Sequence, residues 1–196
     1  MDLTEGTFEE KRARSKKMML WFGIGSLIMT FAGLTSAFIV SRTREDWLVD
    51  FELPQAFFIS LIVIIMSSFT MIMAKRSLKQ NNISQTTVWL VITFVLGIYF
   101  VFNQFQGFGQ FIAQGYNFTG ATSNITVSFI YVIAVVHILH VIAGLISLLV
   151  VIINNLNKKY TSKNMLGLEL AAHFWHFIDI LWVFLFLFLY FFKDII

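Results

Sequence analysis

The sequence contains no cysteine, a single proline and few charged residues, and each scarcity excludes a class of protein or site. Without cysteine the chain has neither a disulfide framework nor a thiolate metal site. Charged residues make up 13% of the chain, against about 25% in soluble domains. Since 58% of the residues are hydrophobic, a soluble fold of 196 residues could not bury this much apolar surface. The composition therefore predicts an integral membrane protein.

Charge is scarcest in five long apolar runs, which together contain one carboxylate, Asp179. Their approximate bounds are 18–40, 53–74, 86–102, 125–153 and 170–192. About 20 residues of helix cross a 30 Å hydrocarbon core, and the alternation of barrel strands is absent. We predict an all-α bundle of five transmembrane helices over residues 18–196, preceded by a polar N-terminal tail at 1–17. An uncharged outer loop with several glycines is predicted from Asn103 to Asn124.

The basic residues are distributed unevenly between the two sides of such a bundle. The N-terminal tail and the second and fourth connections carry eleven of the fourteen lysines and arginines. The other side carries Arg42, Arg44 and Lys193. The positive-inside rule then predicts a cytoplasmic N-terminus and a C-terminus on the outer side. Because the basic residues lie between apolar runs, the net charge of +3 does not indicate a nucleic-acid partner.

Ionisable side chains inside the predicted spans are concentrated in the last two. Those considered as site candidates are His137, His140, Glu169, His173, His176 and Asp179. The last four follow at steps of 4, 3 and 3 residues, so they share one helix face within about 120°. An ionised carboxylate at mid-span costs about 2.5–3.5 kcal/mol, so we expect this face to turn away from lipid.

Two interpretations of these residues are open. Neutral imidazole is a common metal ligand, so two helices with histidine pairs could hold a metal or a haem. Alternatively, they form a buried hydrogen-bonded network that fixes helix packing. The Glu-x-x-His pairs of bundle metal sites are absent, which favours the network.

In the first span, the small residues Ala32, Gly33, Ser36 and Ala37 form a face typical of close helix packing.

Several motifs resemble one known family. Residues 169–182, ELAAHFWHFIDILW, resemble the last helix of subunit III of haem–copper oxidases, and residues 137–144, HILHVIAG, resemble its penultimate helix. Weaker similarities are FAGL at 31–34, AKRSL at 74–78 and LGIYF at 96–100 with Gln104. The length is similar to the short five-helix bacterial form. One departure is Leu27 after Ser26, where the family often has an acidic residue.

The resemblance implies a non-catalytic subunit of a proton-pumping cytochrome c oxidase in aerobic respiration. It implies no catalytic, cofactor or metal site in this chain, with haem and copper held by partner subunits I and II. Subunit I would be the main contact, with subunit II, small subunits and phospholipid as further partners, in the bacterial inner membrane. Any proton role that depends on the acid at position 27 does not carry over.

Three alternatives remain at this point. A quinol oxidase would have a similar third subunit, because the electron-donor site lies in the partners. A small membrane anchor would use the four histidines as haem ligands. A transporter is disfavoured by the absence of internal repeats and broken helices.

Overall fold

The computed structural model describes residues 7–48, 52–120, 123–162 and 164–192. Within them five long helices follow one another, and each is long and apolar enough to cross a membrane. The helices are α1 (Phe8–Val40), α2 (Gln55–Lys79), α3 (Ile83–Ala113), α4 (Ile125–Leu156) and α5 (Leu166–Phe192). A single turn of 3-10 helix, Ser41–Thr43, follows α1. The predicted five-helix fold is confirmed.

Polar side chains fix where three of the helices begin. Thr7 and Glu10 form a reciprocal capping box, so α1 begins at Phe8 inside the polar segment before the first apolar run. Asn82 and Asn124 accept hydrogen bonds from the backbone N–H groups of the first turns of α3 and α4. At about 1.5 Å per residue, the 33 residues of α1 span about 50 Å and extend well beyond a 30 Å hydrocarbon core.

Helices α2 to α5 form the body of the bundle, and α1 lies against its outside. Antiparallel α2 and α3 are joined by a tight turn at Gln80–Asn82, in which Asn81 has a φ of 57°. Among the described residues α1 contacts α4 and α5 and neither α2 nor α3. The largest buried side chains at the centre include Trp175, Trp182 and Phe100. The core therefore lies between the last four helices.

The two ends of the bundle differ in charge. At one end, called the basic end here, the start of α1 meets the α2–α3 and α4–α5 connections. The Ser162 N–H donates to Asn81 Oδ1 over 2.9 Å, and Lys17 Nζ lies 3.7 Å from a Glu169 oxygen. At the opposite end, Arg44 donates to Asp46, and this hydrogen bond lowers the pKa of the exposed Asp46 carboxyl below its usual value. The tail and both basic connections thus share one end, as the charge distribution requires.

The third helix is longer than predicted, and the prediction of an outer loop beginning at Asn103 is wrong. Residues 103–113 continue α3 because their side chains have partners in the bundle. Gln104 Nε2 donates to Ser60 Oγ over 2.8 Å, and Phe111 packs edge-on against Phe57. The Phe57 ring lies where a side chain at Gly107 would be, so this glycine permits a close approach. Only Gly115 and Gly120, both with positive φ, lie in the connection that follows.

The small-residue face of the first span does not pack inside the chain. Ala32, Gly33, Ser36 and Ala37 are exposed, and a side-chain carbon added at Gly33 would meet no atom within 4 Å. Beside this face an apolar groove of about 540 Å³ runs between α1 and α5, with Ile28 and Phe184 among its walls. The predicted close packing of this face is therefore wrong within the described chain. The buried side of α1 is formed instead by Ile24, Phe31, Thr35 and Phe38.

Candidate functional site

The candidate residues of α5 lie along its contact with α2. The two helices run antiparallel, so the start of α5 lies beside the end of α2 and each later turn of α5 meets an earlier turn of α2. Polar pairs join them at two levels, one at Lys75 and Glu169 and the other at Ser67 and Ser68. We call this contact the α5 seam; it consists of Ser67, Ser68 and Lys75 of α2 with Glu169, Trp175, His176 and Asp179 of α5.

Trp175 occupies the centre of the α5 seam and contacts α2, α3 and α4. Its indole Nε1–H donates to Ser67 Oγ of α2 over 2.7 Å, and Trp175 is 2% exposed. The ring fills a slot made by two glycines. A side-chain carbon at Gly97 of α3 would lie 2.7 Å from the ring, and one at Gly144 of α4 would lie 3.1 Å from it. A side chain at Gly97 would force the indole to shift, and one at Gly144 would crowd it.

At the basic end of the seam, Glu169 lies between two lysines. Its carboxylate oxygens are 3.7 Å from Lys17 Nζ of α1 and 4.0 Å from Lys75 Nζ of α2. The Glu169 side chain is 26% exposed, so water screens both ion pairs. Their net contribution to stability is therefore small, and their clearer effect is to set the position of α5 relative to α1 and α2.

Deeper in the bundle, Ser68 lies beside both His176 and Asp179. Its hydroxyl oxygen is 2.7 Å from His176 Nδ1. Asp179 is 3% exposed, and neither carboxyl oxygen makes a hydrogen bond of ordinary geometry to any described residue. The carboxyl borders a gap in the packing, lined also by Phe100 and Val141, that has no room for a water molecule. Asp179 is thus a buried carboxyl beside Ser68, whose hydroxyl also pairs with His176.

His137 of α4 contacts α5 outside the α5 seam. His137 is fully buried among the rings of Phe31, Phe100 and Trp182, and its Nε2–H donates to the Ile178 carbonyl over 3.2 Å. Its Nδ1 atom has no hydrogen-bond partner in the described residues. This interaction joins α4 to the backbone of α5 one residue before Asp179.

The remaining two histidines bond within their own helices. His140 Nδ1–H donates to the Val136 carbonyl over 2.7 Å, and His173 Nδ1–H donates to the Glu169 carbonyl over 2.6 Å. His173 is exposed, so the face shared by the four α5 candidates is only partly turned inward. The candidates therefore do not form one continuous network. His137, Glu169 and His176 join different helices, whereas His140 and His173 bond only within their own.

The candidate residues do not come together as a metal-binding group in the described part of the chain. Within the described ranges no three His, Cys, Asp or Glu side chains come close enough to share a metal ion. His137 and His176 direct nitrogens at Ile178 and Ser68, on different helices, and His173 faces outward. The four imidazoles therefore do not converge on one centre.

The sequence analysis missed the contribution of α2, on which it named no candidate residue. Ser60 accepts from Gln104, Ser67 accepts from Trp175, and Thr70 Oγ1 lies 2.8 Å from Thr93 Oγ1 of α3. A signal for this face exists in the sequence: Ser60, Ser67 and Ala74 are spaced by seven residues in an otherwise bulky apolar run. A heptad of small residues places one face of α2 against its neighbours.

Comparison with known proteins connects this packing to a family. Residues 46–194 match the family described as cytochrome c oxidase subunit III. The match covers most of the chain and includes α2 to α5 with every residue of the α5 seam. The chain belongs to this family. In this oxidase subunit III, residues of the motifs on the last two helices form the α5 seam and the contact of His137 with Ile178.

Similar proteins come from animals and bacteria. The chain is 37% identical over 140 residues to cytochrome c oxidase subunit 3 of Spodoptera frugiperda, covering 71% of this chain and 89% of that protein. It is 30% identical over 184 residues to cytochrome c oxidase subunit 3 of Alkalihalophilus pseudofirmus, covering 90% and 86%. A probable cytochrome c oxidase subunit 3 of Mycobacterium tuberculosis is 29% identical over 201 residues, covering 97% of both chains. The short bacterial form thus matches this chain along nearly its whole length.

Proposed function

We propose that this chain is the non-catalytic subunit III of a proton-translocating cytochrome c oxidase, which reduces O₂ to water. One observation carries the proposal: the family match includes both motif-bearing helices. The names of the relatives favour cytochrome c over quinol as the electron donor of the complex. The haem and copper centres belong to partner subunits I and II, and this chain supplies no ligand to them.

The six candidate residues serve, in this proposal, to hold the subunit in shape. His137 joins α4 to α5, and His176 and Glu169 join α5 to α2 and α1. Such interhelical hydrogen bonds contribute about 0.6 kcal/mol each on average within a membrane. Together with the Trp175 slot, they present a rigid surface to a neighbouring subunit.

The chain packs mainly on oxidase subunit I in the bacterial inner membrane, with its basic end in the cytoplasm. The basic residues collected at that end support this orientation, because cytoplasmic ends of membrane proteins are rich in lysine and arginine. Since the chain has no cysteine, single cysteines at Ser15 and at the exposed Thr119 test it directly. In intact cells an impermeant reagent should label only the cysteine at 119; labelling only at 15 would reverse the orientation.

Its contribution to the complex is the durability of subunit I during turnover and its uptake of protons. We expect an oxidase stripped of this chain to start electron transfer normally, because every redox centre remains. Its activity should then decline over successive turnovers, faster at high pH where protons are scarce. The measurement is oxygen consumption against time at two pH values, for intact and stripped enzyme.

Two controls make this experiment decisive. The haem and copper absorption spectra should be unchanged on removal of the chain, and adding the purified chain back should restore the lifetime of the enzyme. A haem band that leaves with this chain would assign it a cofactor and overturn the non-catalytic role. A stripped enzyme that lasts as long as the intact one would remove the role in turnover.

A further inference from the structure

A groove of about 610 Å³ opens at the basic end between the last turns of α2 and the first turns of α3. It lies apart from the α5 seam and from the apolar groove beside α1. Its volume is in the range of small-molecule binding pockets, about 300–1,000 Å³. The helices that form it are the pair joined by the short turn at Gln80–Asn82, so its two walls are held in a fixed relation.

The polar side chains of this groove make no contact that would occupy them. Arg76, Gln80, Ser84 and Gln85 line it, and none has a side-chain hydrogen bond or ion pair to another part of the described chain. The other basic residue at this level of α2, Lys75, instead lies 4.0 Å from Glu169. The groove therefore holds a guanidinium, two amides and a hydroxyl that are available to a ligand.

The charge around the groove is of one sign. From Ala74 to Leu90 the chain has Lys75, Arg76 and Lys79 and no acidic residue. A guanidinium offers up to five N–H donors in a planar fork that matches phosphate oxygens, and neutral hydroxyl and amide groups can complete the shell. No carboxylate lines the groove, so this set of donors is suited to an anion.

The groove is also amphipathic along the membrane normal. Val88 and Trp89 line it about one turn deeper in α3 than Ser84 and Gln85. Beyond them, the surface of α3 continues with the exposed apolar residues Ile92 and Val95. Tryptophan is enriched at the level of lipid headgroups, and basic residues there attract anionic lipids. A free phosphate ion would use only the polar half of this surface.

We propose that this groove binds the headgroup of an anionic phospholipid from the leaflet at the basic end. Arg76 donates to the phosphate, Gln80, Ser84 and Gln85 bond the phosphate and the polar headgroup, and the upper acyl chain follows Val88 and Trp89. This site is independent of the proposed role in the oxidase, since it rests on the α2–α3 pair alone.

A photoactivatable phosphatidylglycerol, with its reactive group near the start of an acyl chain, tests the proposal. The full chain, purified with the subunits that accompany it, is placed in phosphatidylcholine nanodiscs containing a small fraction of this probe. Mass spectrometry then locates the label. We expect it on the peptide that contains Val88 and Trp89, and we expect a phosphatidylcholine probe with the same chain to label that peptide at least about tenfold less.

Two matched substitutions separate the groove from general surface charge. Arg76→Gln should lower the labelling about tenfold, because the charged donor is lost. Lys79→Gln removes the same charge from the same end without touching the groove lining, and it should change the labelling by less than about twofold at physiological salt. Both positions are exposed, so neither variant should prevent folding, which the yield of purified protein checks.

Three outcomes would overturn the proposal. Equal labelling by the phosphatidylcholine probe would make the contact an unselective lipid contact. Equal losses of labelling in Arg76→Gln and Lys79→Gln would show that general surface charge, and not the groove, attracts the lipid. Displacement of the probe by inorganic phosphate as effectively as by unlabelled phosphatidylglycerol would make the groove a phosphate-ion site and not a lipid site.

Discussion

Helices α1 and α5 are both long and apolar, yet they are packed in opposite ways. Only four of the 33 residues of α1 are buried, against eleven of the 27 residues of α5. Hydrophobicity does not distinguish them, because lipid is as apolar as a protein core. The difference lies in matched shapes and polar pairs, which α5 has with three neighbours and α1 largely lacks within this chain.

The glycines show the same difference at the level of single atoms. A side-chain carbon at Gly23, Gly25 or Gly33 of α1 would meet nothing within 4 Å. At Gly97 and Gly144, opposite α5, it would meet the Trp175 ring. A glycine in a transmembrane helix therefore indicates close packing only where a bulky partner fills the space that it leaves.

Removal of Trp175 should have the largest effect. Trp175→Ala empties the slot between Gly97 and Gly144 and leaves Ser67 without its donor, so we expect a loss of about 3–5 kcal/mol of unfolding free energy. Trp21→Ala is the matched control on α1, where Trp21 is 63% exposed, and should cost less than about 0.5 kcal/mol. Reversible unfolding of the purified chain in mixed micelles measures both. Equal losses of unfolding free energy in the two variants would show that the packed Trp175 stabilises the bundle no more than the exposed Trp21.

Replacing a glycine by alanine should have an intermediate effect, destabilising at Gly97 of α3 and stabilising at Gly33 of α1. Gly97→Ala places a methyl group against Trp175 and Leu145, with an expected cost of about 1–3 kcal/mol. Gly33→Ala meets open space and should raise stability by up to about 1 kcal/mol, because alanine loses less backbone entropy in a helix. The same unfolding assay applies. A loss of stability in the Gly33 variant of the isolated chain would show that this face is packed after all.

Loss of one hydroxyl should have the smallest effect of the three. Ser67→Ala leaves the buried Trp175 N–H without an acceptor, at an expected cost of about 1 kcal/mol. Ser36→Ala on the exposed face of α1 should be neutral. If Ser67→Ala were neutral as well, shape alone would explain the packing of Trp175.

Hydropathy and charge predicted the number of helices and the shared basic end, since both follow from local composition. They did not predict the continuation of α3 past Asn103, because that stretch is helical through its contacts with Ser60, Phe57 and Tyr131 on other helices. Nor did they reveal the outward position of the small α1 face. Whether a small residue is covered depends on the position of a bulky side chain far away in sequence.

The candidate residues could be selected from the sequence, but their connections could not. Spacing on α5 identified Glu169, His173, His176 and Asp179 as one face. It could not show that Ser68 and Lys75 meet two of them, or that His137 bonds a backbone carbonyl. Such pairings depend on the register between helices, which one sequence does not reveal.

The contacts of α1 have a consequence for biosynthesis. The first helix leaves the ribosome before any of its partners, and among the described residues those partners are α4 and α5. The α2–α3 pair can close as soon as α3 has been made, whereas α1 cannot complete its contacts until α5 has been made. Docking of α1 is therefore a late step, and a nascent chain that stops before α5 lacks the acidic partner of Lys17.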